Sequence, residues 1–418
     1  MTRRQLLKAA AAATGLIVGG ALLNACAAGS PASPTAKPVG GAPAPQATAA
    51  QGQGAAPLKI GVLLPYSKVY AQLGESITDG MNLYLESAGN SAGGRKIVLI
   101  KEDEENDPQV SLRKARKFIE SDNVDLITGI VSSAVALAVR DLVHSTKTLL
   151  VISNAGANDL TRGRKSPYIF RTSFSNWQSS WAMGAWVAKN VSKRVFCSAP
   201  NYAAGKEMVE AFKETFLPAG GEVVGELFPP LGNTDYGPFL TQIAQAKPGA
   251  TFNFYSGSDA LNFVQQYEQF GLKKNIPLTG PGFLVEQDVL PAQGKAALGT
   301  YTALYWAITL DNPENKKFVA DFQAKYKRKA DAFAMQGYDT ARVIVETLNQ
   351  AQGQTDDKDR LIKIMEGVKF NSPRGPFAFD PETHNVVQDV YIRKVEEVNG
   401  ELVNVVLETV KAVRDPGK

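Results

Sequence analysis

From residue 58 onward, apolar and polar positions alternate in blocks. "LKIGVLL" (58–64) is a short apolar run that ends at Pro65, and an amphipathic stretch follows from Leu73 to Ala88. "KIVLIKED" (96–103) precedes a helical pattern at 109–120. "VDLITGI" (124–130) precedes a helix opening at Ser132/Ser133, and "TLLVIS" (148–153) runs into "NAGAND". Short apolar runs alternating with helical periods predict parallel βα units. After "YIFRTSF" (168–174) the alternation restarts. "RVFCSAP" leads into a helix over Lys206–Leu217, "GEVVGELF" into one at 237–246, and "ATFNFY" into one at 259–270, before "TYTALYW" closes this half. So many parallel strands would strain a single open sheet, so the pattern predicts an α/β chain of two doubly wound, Rossmann-like lobes. Helical patterns at 313–327 and 337–351, then shorter strands, predict a return to the first lobe and another crossing through the hinge. The expected division is 58–173 with 306–384 in one lobe and 174–305 with 385–412 in the other.

In open α/β sheets ligands gather beyond the carboxyl ends of the strands. The residues there are "PYSKVYAQ", "SSA", "SNAGAND", "APNYAAG", "YSGSDA" and "GPGF", which are small, hydroxylic, amidic and aromatic with little charge. Such a lining suits capture of a small molecule between lobes. "GIVSSA" is the most pointed of these stretches. A helix start exposes unpaired N–H groups and the positive end of the helix dipole, which attract anions. The alternative reading is that Ser132 or Ser133 serves only as an N-cap.

Composition narrows the partners. The 418 residues carry 45 basic and 41 acidic side chains, with no basic stripe interleaved with aromatics, so nucleic acid is not an expected partner. His144 and His384 lack metal-ligand spacing. Cys26 and Cys197 are the only cysteines, which argues against a disulfide scaffold or a zinc cluster. No metal or cofactor is expected. "MTRRQLLKAAAAATGLIVGGALLNAC" pairs a basic start with a short, glycine-diluted apolar run, the pattern of an export signal over 1–26 rather than a membrane span. Its Arg3-Arg4 segment resembles the twin-arginine export motif. Leu23-Asn24-Ala25-Cys26 resembles a bacterial lipobox, which would make Cys26 the lipidated first residue of the mature chain. Residues 27–57 hold one charge and almost nothing able to form a core, so they read as a disordered tether of roughly 30 Å. The expected location is therefore the outer face of the cytoplasmic membrane.

Catalysis finds no motif. "GRKS" (163–166) lacks the spacing and order of a P-loop, and no GxSxG elbow, HExxH helix or GxGxxG turn is present. The acidic "KEDEENDP" (101–108) lacks calcium-loop spacing and reads as a solvated strand end.

The order and spacing of "IGVLLPYS", "AQLGESITDGMNLYLE", "EDEENDP", "GIVSSA", "VISNAGANDLT", "YIFRTSFSNWQ", "APNYAAGKE" and "GLKKNIPLTGPG" resemble the branched-chain amino-acid-type solute-binding proteins of ABC transporters. That family has the type I periplasmic-binding fold, and the likeness covers residues 58–410. "NAGANDLT", "RVFCSAPNYAAGKE" and "NPENKKFVADF" look like the branch predicted to take up nitrobenzoate and related aromatic acids. The resemblance implies that Ser133 contacts a ligand carboxylate, with Ser132 beside it, and that Ala155, between Asn154 and Gly156, offers backbone to the same group. It also implies losses at the ammonium end. Ala157 stands where relatives carry Thr, Asn176 where an acid is common, Gly282 and Phe283 near an expected Glu or Asp, and Ser258 where an aromatic lid sits. With Trp177, Tyr202, Phe283 and Phe333 expected around the cleft, the site implied is one for a flat organic acid. The implied protein is a monomeric receptor that delivers its ligand to an importer permease. A branched-chain amino-acid receptor and a ligand-sensing module for a signalling partner are the alternatives.

Overall fold

Leu58–Leu64 (β1) is buried along almost its whole length, as a strand covered by helices on both faces must be. The computed structural model to which it belongs describes residues 55–418. The expected signal, Cys26 and nearly all of the tether lie outside the described residues.

The first lobe adds α1 (Ala71–Ser87), the edge hairpin β2 (Ser91–Ala92) and β3 (Arg95–Asp103), and α2 (Pro108–Lys117). It continues with β4 (Leu126–Gly129), α3 (Ser133–Ser145), β5 (Leu150–Ile152) and β6 (Ile169–Arg171). Its six strands lie in the order β2-β3-β1-β4-β5-β6. The chain then crosses to α4 (Asn176–Asn190), β7 (Arg194–Ser198), α5 (Ala203–Phe216), β8 (Glu222–Leu227), α6 (Gly237–Ala246), β9 (Ala250–Asn253), α7 (Ser258–Gln269), β10 (Leu278–Pro281), α8 (Leu290–Gln293) and β11 (Tyr301–Leu304). After α9 (Pro313–Tyr326), α10 (Ala332–Gln350) packs along α1, and α11 (Lys358–Glu366) follows it. Strands β12 (Lys369–Ser372), β13 (Gly375–Phe379), β14 (Val386–Val398) and β15 (Glu401–Val413) end the chain. The second sheet runs β12-β13-β14-β11-β10-β9-β7-β8, with β15 on β14.

Each sheet reverses its winding beside its first strand, between β1 and β4 in one and between β7 and β9 in the other. Those switch points open crevices at the strand ends. Local signals set the helix starts. Asp107 accepts from the Gln109 and Val110 N–H groups ahead of Pro108, and Asp331 caps α10 through the Ala334 N–H. That cap starts α10 at Ala332, five residues before the periodicity suggests.

The C-terminal strands also differ from expectation. β14 and β15 are 13 residues each, the longest in the molecule's described part, joined at Asn399-Gly400 with φ of 53° and 80°. An Asn-Gly turn of this kind matches the twist of paired strands. Residues 369–379, assigned above with the first lobe, join the second sheet, β12 pairing with β13 and the end of β13 with β14, while Asn385 bridges to Arg171 at the end of β6. Buried polar side chains pin the crossing segments. Arg374 donates to Asp339 at 2.8 Å, to Ser173 O at 3.0 Å and to Gln388 at 2.7 Å, and Gln178 donates to the carbonyls of Val386 and Val413.

Candidate functional site

The two crevices face each other around a narrow cavity. From the first lobe come Tyr70 and Leu73 at the start of α1, Val131 and Ser133 before and at the start of α3, Asn154 and Gly156 after β5, and Phe333 on α10. Phe174 and Asn176 enter from the first crossing. Tyr202, Ala204 and Met208 belong to the β7–α5 turn and helix, and Phe254, Ser256 and Phe283 follow β9 and β10.

Aromatic rings make the walls. The Phe283 ring lies 4.9 Å from Phe174, 5.9 Å from Phe333 and 6.2 Å from Phe254, centroid to centroid. Tyr202 and Phe254 stack at 6.4 Å, and the Tyr70 and Tyr202 hydroxyls meet across the lobes at 2.9 Å. None of the residues lining the cavity is Asp, Glu, Lys or Arg.

The turn before α3 is bent sharply, with Gly129 at φ 109° and Ile130 at φ 63°. Its Val131 and Ser132 N–H groups both donate to Glu104, each at 3.0 Å. Burial pushes the Glu104 carboxyl up to about 8, and these two N–H bonds oppose the rise. Part of the anion-attracting helix start is thus filled from within. What remains toward the cavity is Ser133, whose hydroxyl accepts from the Asn176 amide at 3.4 Å. That amide also donates to Glu207 at 2.7 Å, a carboxylate that takes the Asn158 N–H at 2.9 Å as well. Burial raises the Glu207 carboxyl above its ordinary range.

Of the thirteen ligand-site residues singled out in the sequence, Ser133, Asn154, Gly156, Asn176, Tyr202, Phe283 and Phe333 share this cavity. Asn154 is held by Gln336 at 2.8 Å, and Gly156 accepts the Asn176 N–H at 2.7 Å. A side chain at Gly156 would collide with the Asn176 amide.

The other six lie off its wall. Ser132 is buried as the N-cap residue of α3 and makes no capping bond through its hydroxyl. The Ala155 N–H is spent on Ile130 O at 2.9 Å, and the Ala157 carbonyl accepts from Arg171 at 2.6 Å. Trp177 turns to a neighbouring groove, where it stacks on Trp181 at 4.7 Å and donates to Glu214 at 2.7 Å. Ser258 opens α7 and lines a separate groove with Lys68 and Glu105. The Gly282 carbonyl accepts from Arg393 at 3.2 Å, and any side chain there would strike that guanidinium.

Tyr70, Leu73, Val131, Phe174, Ala204, Met208, Phe254 and Ser256 were not singled out. Tyr70 and Ser256 fall inside strand-end stretches already quoted, so position after a strand is the signal that finds them. Phe174 and Phe254 read as ends of apolar strands, with nothing local to show that they cross into a cleft.

The model of the family described as "Periplasmic binding protein" matches residues 57–401. A Leu/Ile/Val-binding protein homolog 6 of Brucella melitensis is 32% identical over 366 residues, covering 86% of this chain and 93% of its own. A solute-binding protein of an ABC transporter from Rhodopseudomonas palustris BisB5, solved with 3,4-dihydroxybenzoic acid, is 38% identical at a TM-score of 0.82, covering 86% and 99%. Another from R. palustris, solved with benzoate, is 38% identical at a TM-score of 0.81, covering 87% and 99%. A leucine-binding protein of Thermotoga maritima shares the fold at a TM-score of 0.75 and 21% identity, covering 85% and 99%. By its two lobes, its interlobe cavity and these likenesses, the chain belongs to the periplasmic binding protein family.

Proposed function

We propose that this protein is the extracytoplasmic receptor of an ABC importer and captures an aromatic monocarboxylate between its lobes. The observation that carries the reading is the cavity wall itself. Four phenylalanines and two tyrosines surround a space in which the Ser133 hydroxyl and the Asn176 amide are polar but no carboxylate faces inward. An amino acid would bring an ammonium group there, and burying it unpaired costs several kcal/mol. A flat acid brings only a carboxylate, and each hydrogen bond to a charged group contributes about 1.5–3 kcal/mol. The R. palustris proteins solved with benzoate and dihydroxybenzoate support the aromatic class. The Leu/Ile/Val-binding homologues support only the broader solute-binding role.

Calorimetry against benzoate, 4-hydroxybenzoate and leucine tests this. An aromatic acid should bind at roughly 1 μM or tighter, about −8 kcal/mol, with no heat from leucine. Ser133→Ala should weaken the acid by about 1–3 kcal/mol through loss of one carboxylate partner. Tight leucine binding would overturn the reading.

The same proposal includes a monomer tethered through a lipidated Cys26. Its support is the lipobox-like sequence, the core-free segment behind it and the absence, among the described residues, of any helix long and apolar enough to cross a membrane. Cys26→Ser should move the protein from the membrane fraction to the soluble one without altering its melting profile. A variant that still sediments with membranes would count against the anchor.

A further inference from the structure

Glu207 stands behind the polar end of the cavity and is not part of its wall. It projects from α5, lines the neighbouring groove beside Trp177, and brings a single carboxylate oxygen, Oε2, within reach of two donors. The Asn158 N–H meets that oxygen at 2.9 Å and the Asn176 side-chain amide at 2.7 Å. An oxygen already taking a backbone N–H can only accept, so Asn176 must turn its NH2 toward Glu207 and its Oδ1 away, over Gly156. The same NH2 group donates to the Ser133 hydroxyl at 3.4 Å.

Asn176 and Ser133 are 1% and 2% exposed, so these bonds are shielded from water. Ser133 accepts from Asn176, and its own proton finds no acceptor among the described residues. That proton is left for a ligand, and a carboxylate oxygen answers it. Reversing the Asn176 amide would reverse the whole chain. Its Oδ1 would then draw the Ser133 proton, and the serine would offer the ligand only lone pairs, which repel a carboxylate. Glu207 opposes the reversal, because it would press Oδ1 against Oε2, acceptor against acceptor, and strand both. Burial raises the Glu207 carboxyl, yet both bonds converge on Oε2, so a proton on its other oxygen would break neither.

Resting on the aromatic-acid reading above, we propose that Glu207 is a positioning residue, which fixes the Asn176 amide so that the Ser133 proton is aimed at the ligand carboxylate. The experiment is calorimetry with benzoate and 4-hydroxybenzoate on the wild type, Glu207→Gln, Glu207→Ala, Ser133→Ala and the Ser133→Ala/Glu207→Ala double variant, each first checked for an intact melt. Glu207→Leu, which fills the space and cannot accept, takes the place of Glu207→Ala if the alanine variant melts early. Glu207→Ala should weaken the tighter acid by about tenfold or more, whereas Glu207→Gln, which still presents an oxygen to both donors, should stay within about threefold of the wild type. Ser133→Ala should weaken binding in the wild type but cause no further loss in Glu207→Ala, because both act through one chain of bonds. Three results would each overturn the positioning role alone: a Glu207→Ala affinity near that of the wild type, a Glu207→Gln loss as large as that of Glu207→Ala, or equal Ser133→Ala losses in both backgrounds. Failure of both acids to bind the wild type overturns the parent reading with it.

Discussion

Gly80→Ala and Gly337→Ala are each expected to lower unfolding stability by about 3 kcal/mol or more. The two glycines face each other where α1 crosses α10. A Cβ on Gly80 would land on the Ala334 carbonyl, 2.7 Å from its carbon, and one on Gly337 would land on the Ile77 carbonyl, 2.8 Å from its carbon. The obstacle in both cases is helix backbone, which cannot swing aside as a side chain can, so the helices must separate. Separation would also open the cavity, because α1 presents Leu73 and α10 presents Phe333 to it. Ligand affinity should fall along with stability. Urea denaturation checks this against Gly163→Ala, where nothing lies within 4 Å and little change is expected. A wild-type midpoint for either helix variant would show that the helices are not held this close.

Glu286→Ala should cost about 3–5 kcal/mol, because it strands a buried cation. Arg393 is fully buried and donates to Glu286 at 2.9 Å, with the Trp306 carbonyl at 2.6 Å, Gly282 O at 3.2 Å and the Thr302 hydroxyl at 3.3 Å as its other acceptors. Burial raises the Glu286 carboxyl and lowers the Arg393 guanidinium, and their mutual attraction opposes both shifts. The intact pair therefore contributes little net, while half of it is expensive. Glu286→Leu combined with Arg393→Met should recover most of the loss seen in Glu286→Ala. A single variant as stable as the wild type would mean that the two carbonyls and the Thr302 hydroxyl satisfy Arg393 without it. Glu286 also accepts the Ala332 N–H at 3.2 Å, so the α10 start beside Phe333 should loosen as well.

Elements fixed by local pattern were legible in the sequence. β1, β4 and β7 are near-continuous apolar runs, and the turns after them were marked as ligand-facing because parallel strands point their carboxyl ends at one crevice. Rotation within a helix was not legible. Asn176 and Trp177 are adjacent at the start of α4, yet about 100° of helical turn sends one to the cavity and the other to a separate groove. At the β9 end, Gly257 at φ 58° redirects the chain, so Ser256 faces the cavity and Ser258 does not. Ala155 lies off the cavity wall for another reason. Its N–H belongs to Ile130 O, and a backbone bond between neighbouring strand ends leaves no trace in residue type. The long C-terminal hairpin had a signal, Asn399-Gly400, but mixed charge on the exposed face of β15 obscured the alternation around it.

The pairing of α1 with α10 has a consequence during synthesis. The first lobe begins the folded body but borrows the helix that packs along α1 from some 245 residues later, between Ser87 and Ala332. At about 5–20 residues per second, a ribosome needs on the order of 12–50 s to cover that gap. For that interval Leu73, Ile77, Met81 and Leu85 of α1, all buried in the finished molecule, lack the helix that α10 will supply. The lobe whose strands emerge first is therefore the one that must wait, as a nascent chain with an uncovered apolar helix face. Such a chain suits holding by a chaperone until α10 arrives.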